Sequence, residues 1–337
     1  MILEERIDSF AQLGVIIKGL SSSELEVLCI RAKLENPWFT EENVHHALEG
    51  ITQFLDKETL QQWTRPYSLD KVISKRIGVA MAGNIPMVGF HDLLCVLISG
   101  HIVVAKFSSQ DTVLMDFICQ QLKRINPAFD QKIFIEDRLT GIDKVIATGS
   151  DNTGRYFEYY FRNIPHLLRK NRSSCAVIMG EESEAQLVEL GKDVFSYFGL
   201  GCRNVSKLYL PEGFDMIKLM KAWEAYLDIA NHHKYANNYT YQRSILLMNQ
   251  IHFYDNGAVI LSESKLLVSP ISLVYYEYYK NLEDLKNILD QHQEKLQCIV
   301  SANGWYQQSV AFGKSQLPEV WEYADKVDTL KFLIASS

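Results

Sequence analysis

Ile77-Gly78-Val79-Ala80-Met81-Ala82-Gly83-Asn84-Ile85-Pro86 decides the fold: a short apolar run ends in a loop of glycine, asparagine and proline. Runs of this length, bounded by turn residues, have the composition of buried strands. A helix-like stretch from Val88 to Ser99 follows, and then a second run, Ile102-Val103-Val104-Ala105-Lys106. Ser108-Ser109-Gln110-Asp111 offers capping side chains for a helix reaching about Ile125. Lys132-Ile133-Phe134-Ile135 and Lys144-Val145-Ile146-Ala147-Thr148 are the third and fourth runs. Strands alternating with helices over short loops predict an α/β fold with a parallel sheet. Ligands of such sheets lie beyond the carboxyl ends of the strands. Three loops are placed to meet one: Gly83-Asn84, Lys106 to Ser109, and Gly149-Ser150.

Upstream, the first 70 residues read as helices. Ser21-Ser22-Ser23-Glu24 forms a capping box, and Thr40-Glu41-Glu42 starts another helix with acids in its first turn. Trp38, Phe54 and Trp63 are expected to pack this layer onto the body. Downstream of Ser174 a second α/β unit is expected, with strands over 175–179, 207–210, 244–248, 273–279 and 298–300. Helices are expected over 183–198, 215–229 and 282–293, and a hairpin-type turn at Asp255-Asn256-Gly257. At ~150 residues per domain, 337 residues fit two domains. The expected division is 1–174 and 175–313, with 314–337 returning to the first.

Composition narrows the class. Hydrophobic residues at 47% and charged residues at 22% are those of an ordinary globular protein, and a net charge of -7 argues against a broad nucleic-acid surface. Arg169, Lys170 and Arg172 form a local basic cluster, read as a solvated edge. Met1-Ile2-Leu3-Glu4-Glu5-Arg6 carries acids where a signal peptide carries cations. No apolar run reaches the ~18 residues of a membrane span. The six cysteines show neither a CxxC pair nor metal-ligand spacing, so no metal is expected, and free thiols fit a reducing cytoplasm.

Chemistry concentrates in Phe198-Gly199-Leu200-Gly201-Cys202-Arg203-Asn204. Glycines permit close backbone approach, and a neighbouring cation favours the thiolate, so Cys202 is the candidate nucleophile. The other five cysteines lie in apolar runs and read as core thiols. His91 and His101 read as satisfied helix-end residues, and His232-His233 lacks a third metal donor. The tyrosines of 226–241 and 275–279 read first as packing, with an acyl-binding wall as the sharper alternative. GxGxxG is absent. Gly149 to Gly154 has the glycine spacing of a P-loop, but Arg155-Tyr156 replaces its Lys and hydroxyl. What remains is a strand, Gly149-Ser150 and a helix start, which fits an anion site or an ordinary capped helix start equally well.

Taken together, Gly83-Asn84-Ile85-Pro86, then Ser99 to Ser109, then Thr148-Gly149-Ser150 with Gly154, then the Gly-x-Cys turn resemble the aldehyde dehydrogenase superfamily. Within it they are most similar to the LuxC-like fatty acyl-CoA reductases of bacterial luminescence, long-chain acyl-protein thioester reductases. Tyr323 to Leu330 is similar to that subfamily too. The resemblance implies a Rossmann-type NAD(P)-binding domain without GxGxxG plus an α/β catalytic domain. It gives Cys202 the catalytic thiol and Asn84 a share, with the Cys202 backbone N–H, in an oxyanion hole. It gives cofactor contacts to Lys106, Ser108, Ser109, Gly149 and Ser150, and assigns Arg203 no role. Ser109 stands where NAD-preferring relatives carry an acid, so NADPH is expected, with NADH as the alternative.

Two departures set the expected reaction. Hydrolytic members carry a glutamate base before the strand that opens the catalytic domain, and Leu168-Arg169-Lys170-Asn171-Arg172-Ser173-Ser174 holds no acid. Their Glu-x-Phe-Gly-Pro segment is reduced to Leu266-Leu267-Val268-Ser269-Pro270. Without a base to activate water, a thioester intermediate is hydrolysed slowly, whereas a thiol leaving group needs none. The resemblance therefore implies reduction of an acyl-CoA or acyl-protein thioester to an aldehyde. Implied partners are the thioester itself and an acyl-protein synthetase or carrier protein, and a homo-oligomer is compatible. The alternatives are an NAD-linked aldehyde dehydrogenase and a non-catalytic subunit of an acyl-transfer complex.

Overall fold

A computed structural model describes residues 1–149 and 151–335, and the chain divides into two compact units. The first comprises Met1–Asn171 with Glu319–Ser337, the second Arg172–Pro318.

The first unit opens with four helices, α1 (Leu3–Lys18), α2 (Ser22–Glu35), α3 (Glu41–Phe54) and α4 (Lys57–Thr64). The capping box forms as expected: the Glu24 N–H donates to Ser21 Oγ at 3.3 Å, and the Ser21 N–H donates to Glu24 Oε2 at 2.9 Å. Then come β1 (Arg76–Ala80), α5 (Phe90–Ile98), β2 (Ile102–Lys106), α6 (Thr112–Ile125), β3 (Ile133–Ile135), β4 (Lys144–Thr148), α7 (Asp151–Phe161) and β5 (His166–Arg169). The five strands are parallel, in the order β3-β2-β1-β4-β5. The apolar runs of the sequence become its strands because such a sheet is covered on both faces. The edge strand β5 was not expected, since His166-Leu167-Leu168-Arg169 is short and its first three residues are not buried.

Arg169 corrects the reading of a solvated basic edge. It is 5% exposed, and its guanidinium grips Asp92 of α5 through both oxygens, at 2.6 and 3.0 Å. The same guanidinium donates to the Ala324 carbonyl at 2.8 Å and to Thr329 Oγ1 at 3.0 Å. Asp92, the dominant partner opposing burial, holds the Arg169 pKa above its ordinary value. The C-terminal segment is bound at other points too. Tyr323 accepts from Trp63 Nε1 at 2.8 Å, and Lys144 donates to the carbonyls of Phe332, Leu333 and Ala335. His91 and His101 are satisfied, on the carbonyls of Val320 and Leu333.

The second unit contains β6 (Ser173–Val177), α8 (Glu184–Phe195), β7 (Val205–Pro211), α9 (Met216–Ala222), α10 (His233–Met248), β8 (Phe253–Asp255), β9 (Ile260–Glu263), β10 (Leu273–Tyr279), α11 (Leu282–His292), β11 (Leu296–Ser301) and β12 (Val310–Ala311). Its seven strands run β12-β11-β6-β7-β10-β9-β8, parallel except for the edge pair β8–β9 across the Asp255-Asn256-Gly257 turn. Trp223, Leu208, Leu187 and Leu261 belong to the core between α8, α9 and the sheet. One expected strand is a helix: Ser244 to Met248 is the last turn of α10, closed by the Asn249 N–H on the Ile245 and Leu247 carbonyls. Its apolar residues Leu247 and Met248 stay exposed, so the run marks a helix end rather than a buried strand. The chain closes with α12 (Thr329–Ile334), back in the first unit.

Removing one partner of a buried pair strands the other charge. Asp92→Ala is expected to cost about 3–5 kcal/mol in urea denaturation, and a loss below about 1 kcal/mol would show that the Arg169 hub does not depend on it.

Candidate functional site

The sheet register brings the first unit's candidate loops to one level. Ala80 of β1 lies opposite Lys106 of β2 and Ala147 of β4. The strand order reverses at β1, the switch point at which open α/β sheets hold their ligands. Asn84 is exposed on the loop after β1, and Lys106 is exposed at the end of β2. Ser108 is half-buried, Ser109 is exposed, and Gly149 follows β4 just before α7. Ser150 lies outside the described residues. From Lys106 to Gln110 there is a cation, two hydroxyls and no carboxylate, so this loop suits an anion.

The loops after β1 and β2 are locked together. A Cβ on Gly83 would sit 2.5 Å from Ser108 Oγ and 2.7 Å from Ser108 Cβ, so the approach requires glycine. Asn36 Nδ2 donates to the Gly83 carbonyl at 3.0 Å. Met87 holds a left-handed φ of 54°, and its N–H donates to Asp111 Oδ2 at 2.7 Å. Asp111 is therefore no helix cap. The α6 N–H groups of Thr112 and Val113 donate instead to Glu35 Oε2, each at 2.9 Å. Sequence reasoning missed Glu35, Asn36 and Asp111. One signal was present: Glu35 ends α2, where its own helix dipole disfavours an acid.

Burial pushes the Asp111 carboxyl up to about 8, against the Met87 N–H and with help from Glu35. An unfolded carboxyl ionises near its ordinary 3.8. Between those values the unfolded chain loses a proton that the folded chain keeps, so this group lowers stability as pH rises. Asp111→Asn is expected to raise Tm by an amount that grows from pH 4 to pH 8. A gain independent of pH would contradict the assignment.

In the second unit the thiol turn is built from side chains on three elements. All six cysteines are among the described residues. Cys29, Cys95, Cys119 and Cys175 are buried, Cys298 is half-buried and Cys202 is exposed. Burial raises the pKa of each of the five others, for Cys298 to about 11. Tyr197, Phe198 and Gly199 lead into the turn with φ of 52°, 59° and 77°, a left-handed run that glycine alone adopts without strain. Asn204, 2% exposed, clamps it: Oδ1 accepts the Gly201 N–H at 2.8 Å, and Nδ2 donates to the Asp193 and Ser196 carbonyls at 3.1 and 2.8 Å. Ser174 Oγ on β6 donates to the Cys202 carbonyl at 3.0 Å and accepts from the Cys298 N–H at 3.2 Å. Asp193 accepts the N–H groups of Gly313 and Ser315, and the Ser315 carbonyl accepts from Arg203 at 3.4 Å. Cys202 thus stands at the amino end of β7 on a tightly held turn.

The stretch Leu168 to Ser174 before β6 holds no acid. Arg169 in the stretch before β6 is bound to Asp92, and Leu266 and Val268 of the reduced proline segment are exposed apolar residues. Tyr226 donates to the Val188 carbonyl and stacks on Phe195, and Tyr235 is buried, so both pack the core. His232 caps α10 through the Tyr235 N–H and lies 4.4 Å from the Phe198 ring. No helix among the described residues is long and apolar enough to cross a membrane.

Comparison with solved structures decides the fold family. An aldehyde dehydrogenase of Mycobacterium tuberculosis complexed with NAD+ superimposes with a TM-score of 0.66 at 13% identity, over 89% of this chain and 73% of that one. The chain has the aldehyde dehydrogenase fold. An NAD+ complex of an aldehyde dehydrogenase from Bacillus cereus gives 0.64 at 13%, covering 91% and 72%. A bifunctional proline utilization A protein gives 0.67 at 12%, covering 89% of this chain and 36% of its own length. No family model and no curated protein matches the sequence.

Proposed function

We propose that the protein reduces a fatty acyl thioester to an aldehyde through a covalent thioester on Cys202, with NADPH as the reductant. What carries the reading is the pairing of an exposed thiol on a clamped turn with a preceding stretch that offers no carboxylate.

The Cys202 thiolate attacks the substrate carbonyl carbon, the carbon–sulfur bond to the carrier breaks, and the carrier thiol leaves with a proton. The Cys202 backbone N–H and the Asn84 amide are assigned the developing oxyanion, where each donor can be worth about 3–4 kcal/mol. The nicotinamide cofactor, when bound, supplies the hydride. The acyl carbon is thereby reduced to a thiohemiacetal alkoxide on Cys202; its C=O bond re-forms as the carbon–sulfur bond to Cys202 breaks, which releases the free aldehyde and the Cys202 thiolate. Lys106 is assigned the adenine ribose and a 2′-phosphate, with the Ser108 and Ser109 hydroxyls beside it. Gly149 is assigned the backbone approach to the pyrophosphate. The carrier is coenzyme A or an acylated protein, and an acyl-protein synthetase is the partner that would supply the second.

Water lacks an activating base in this reading, so the acyl-enzyme outlives its hydrolysis and waits for hydride. With a long-chain acyl-CoA the protein is expected to consume NADPH faster than NADH and to release aldehyde. Cys202→Ala should lower the rate at least a thousandfold. Full activity in that variant, or a carboxylate product, would overturn the proposal.

A further inference from the structure

Asp111 is a buried acid that the proposed chemistry does not use. It is 1% exposed, Oδ2 accepts the Met87 N–H, and Oδ1 has no partner among the described residues. Burying a carboxyl with an unpaired oxygen is costly. A left-handed Met87 adds backbone strain, as non-glycine residues with such φ carry. Both costs fall on one hydrogen bond, between the first residue past Pro86 and the residue before α6. That bond ties the loop carrying Asn84 to the loop carrying Lys106, Ser108 and Ser109. Gly83 against Ser108 closes the same two loops from the other side. The Asn36 amide on the Gly83 carbonyl and Glu35 on the α6 N–H groups anchor both loops to the end of α2.

We propose that Asp111 is a positioning residue: it holds Met87, and through it the Asn84 side chain, in register with the Lys106–Ser109 loop. The inference rests on the role proposed for Asn84, but the lock itself is measurable without any turnover. Asn at position 111 keeps an acceptor for the Met87 N–H, whereas Ala removes it.

Hydrogen exchange followed by mass spectrometry on wild type, Asp111→Ala and Asp111→Asn tests the lock. Asp111→Ala is expected to speed exchange over 81–89 at least tenfold while 116–125 in α6 stays within twofold, and Asp111→Asn should restore protection. Thioester reduction then tests the route through Asn84. Asp111→Ala should lower kcat at least tenfold with KM within threefold, and Asp111→Asn should recover most of the loss. In an Asn84→Ala background, Asp111→Ala should cost less than threefold more. Unchanged exchange over 81–89, or losses at positions 84 and 111 that multiply in full, would overturn the proposal. Should Asp111→Ala fail to fold, Asp111→Ser, whose hydroxyl ends short of the amide, carries the same comparison. If wild type reduces no thioester while the exchange pattern holds, the functional reading fails and the lock stands.

Discussion

The Asp92–Arg169 pair is the interaction on which the first unit depends. A guanidinium held by both carboxylate oxygens is fixed in direction as well as distance. It therefore orients the carbonyl of Ala324 and the hydroxyl of Thr329, which pins the returning C-terminal segment to α5 and the end of β5. The stretch between the two sheets is thus partly spent on structure, since its Arg169 is committed to Asp92.

A second constraint is the parallel sheet itself. Because β1 is central, every crossing connection returns to the same edge, and the loops after β1, β2 and β4 begin at one level. That edge is then made rigid by contacts from the N-terminal helices. Asn36 and Glu35, at the end of α2, bind the Gly83 carbonyl and the start of α6. The helical layer shows no chemistry in its own sequence, yet it fixes the loops on which the proposed cofactor and oxyanion contacts stand.

Much of this was legible in the chain. Four of the first unit's strands announced themselves as apolar runs, and the Ser21 and Thr40 caps marked their helices, because these signals are local. β5 was hidden because an edge strand needs little apolar surface, and its Arg169 faces inward only once α5 and the C-terminal segment are in place. The strand read over 244–248 failed because four apolar residues fit either a strand or a helix end. Asp111 was misread as a cap because the residue that caps α6, Glu35, is far away in sequence. Cys202 stood out among glycines, but the clamp by Asn204 and Ser174 was not visible without the fold.

The second unit presents one exposed thiol on a turn whose backbone is held from both sides, by Asn204 within the turn and by Ser174 on β6. Such a turn restrains the backbone on either side of Cys202 while leaving the residue exposed, an arrangement that suits the proposed covalent chemistry. The most direct measurement is the mass of the intact protein after incubation with long-chain acyl-CoA in the absence of reductant, followed by peptide mapping. One acyl group per chain is expected, carried by the peptide containing Cys202. An unmodified protein, or an acyl group carried by Cys298 or another cysteine, would contradict it.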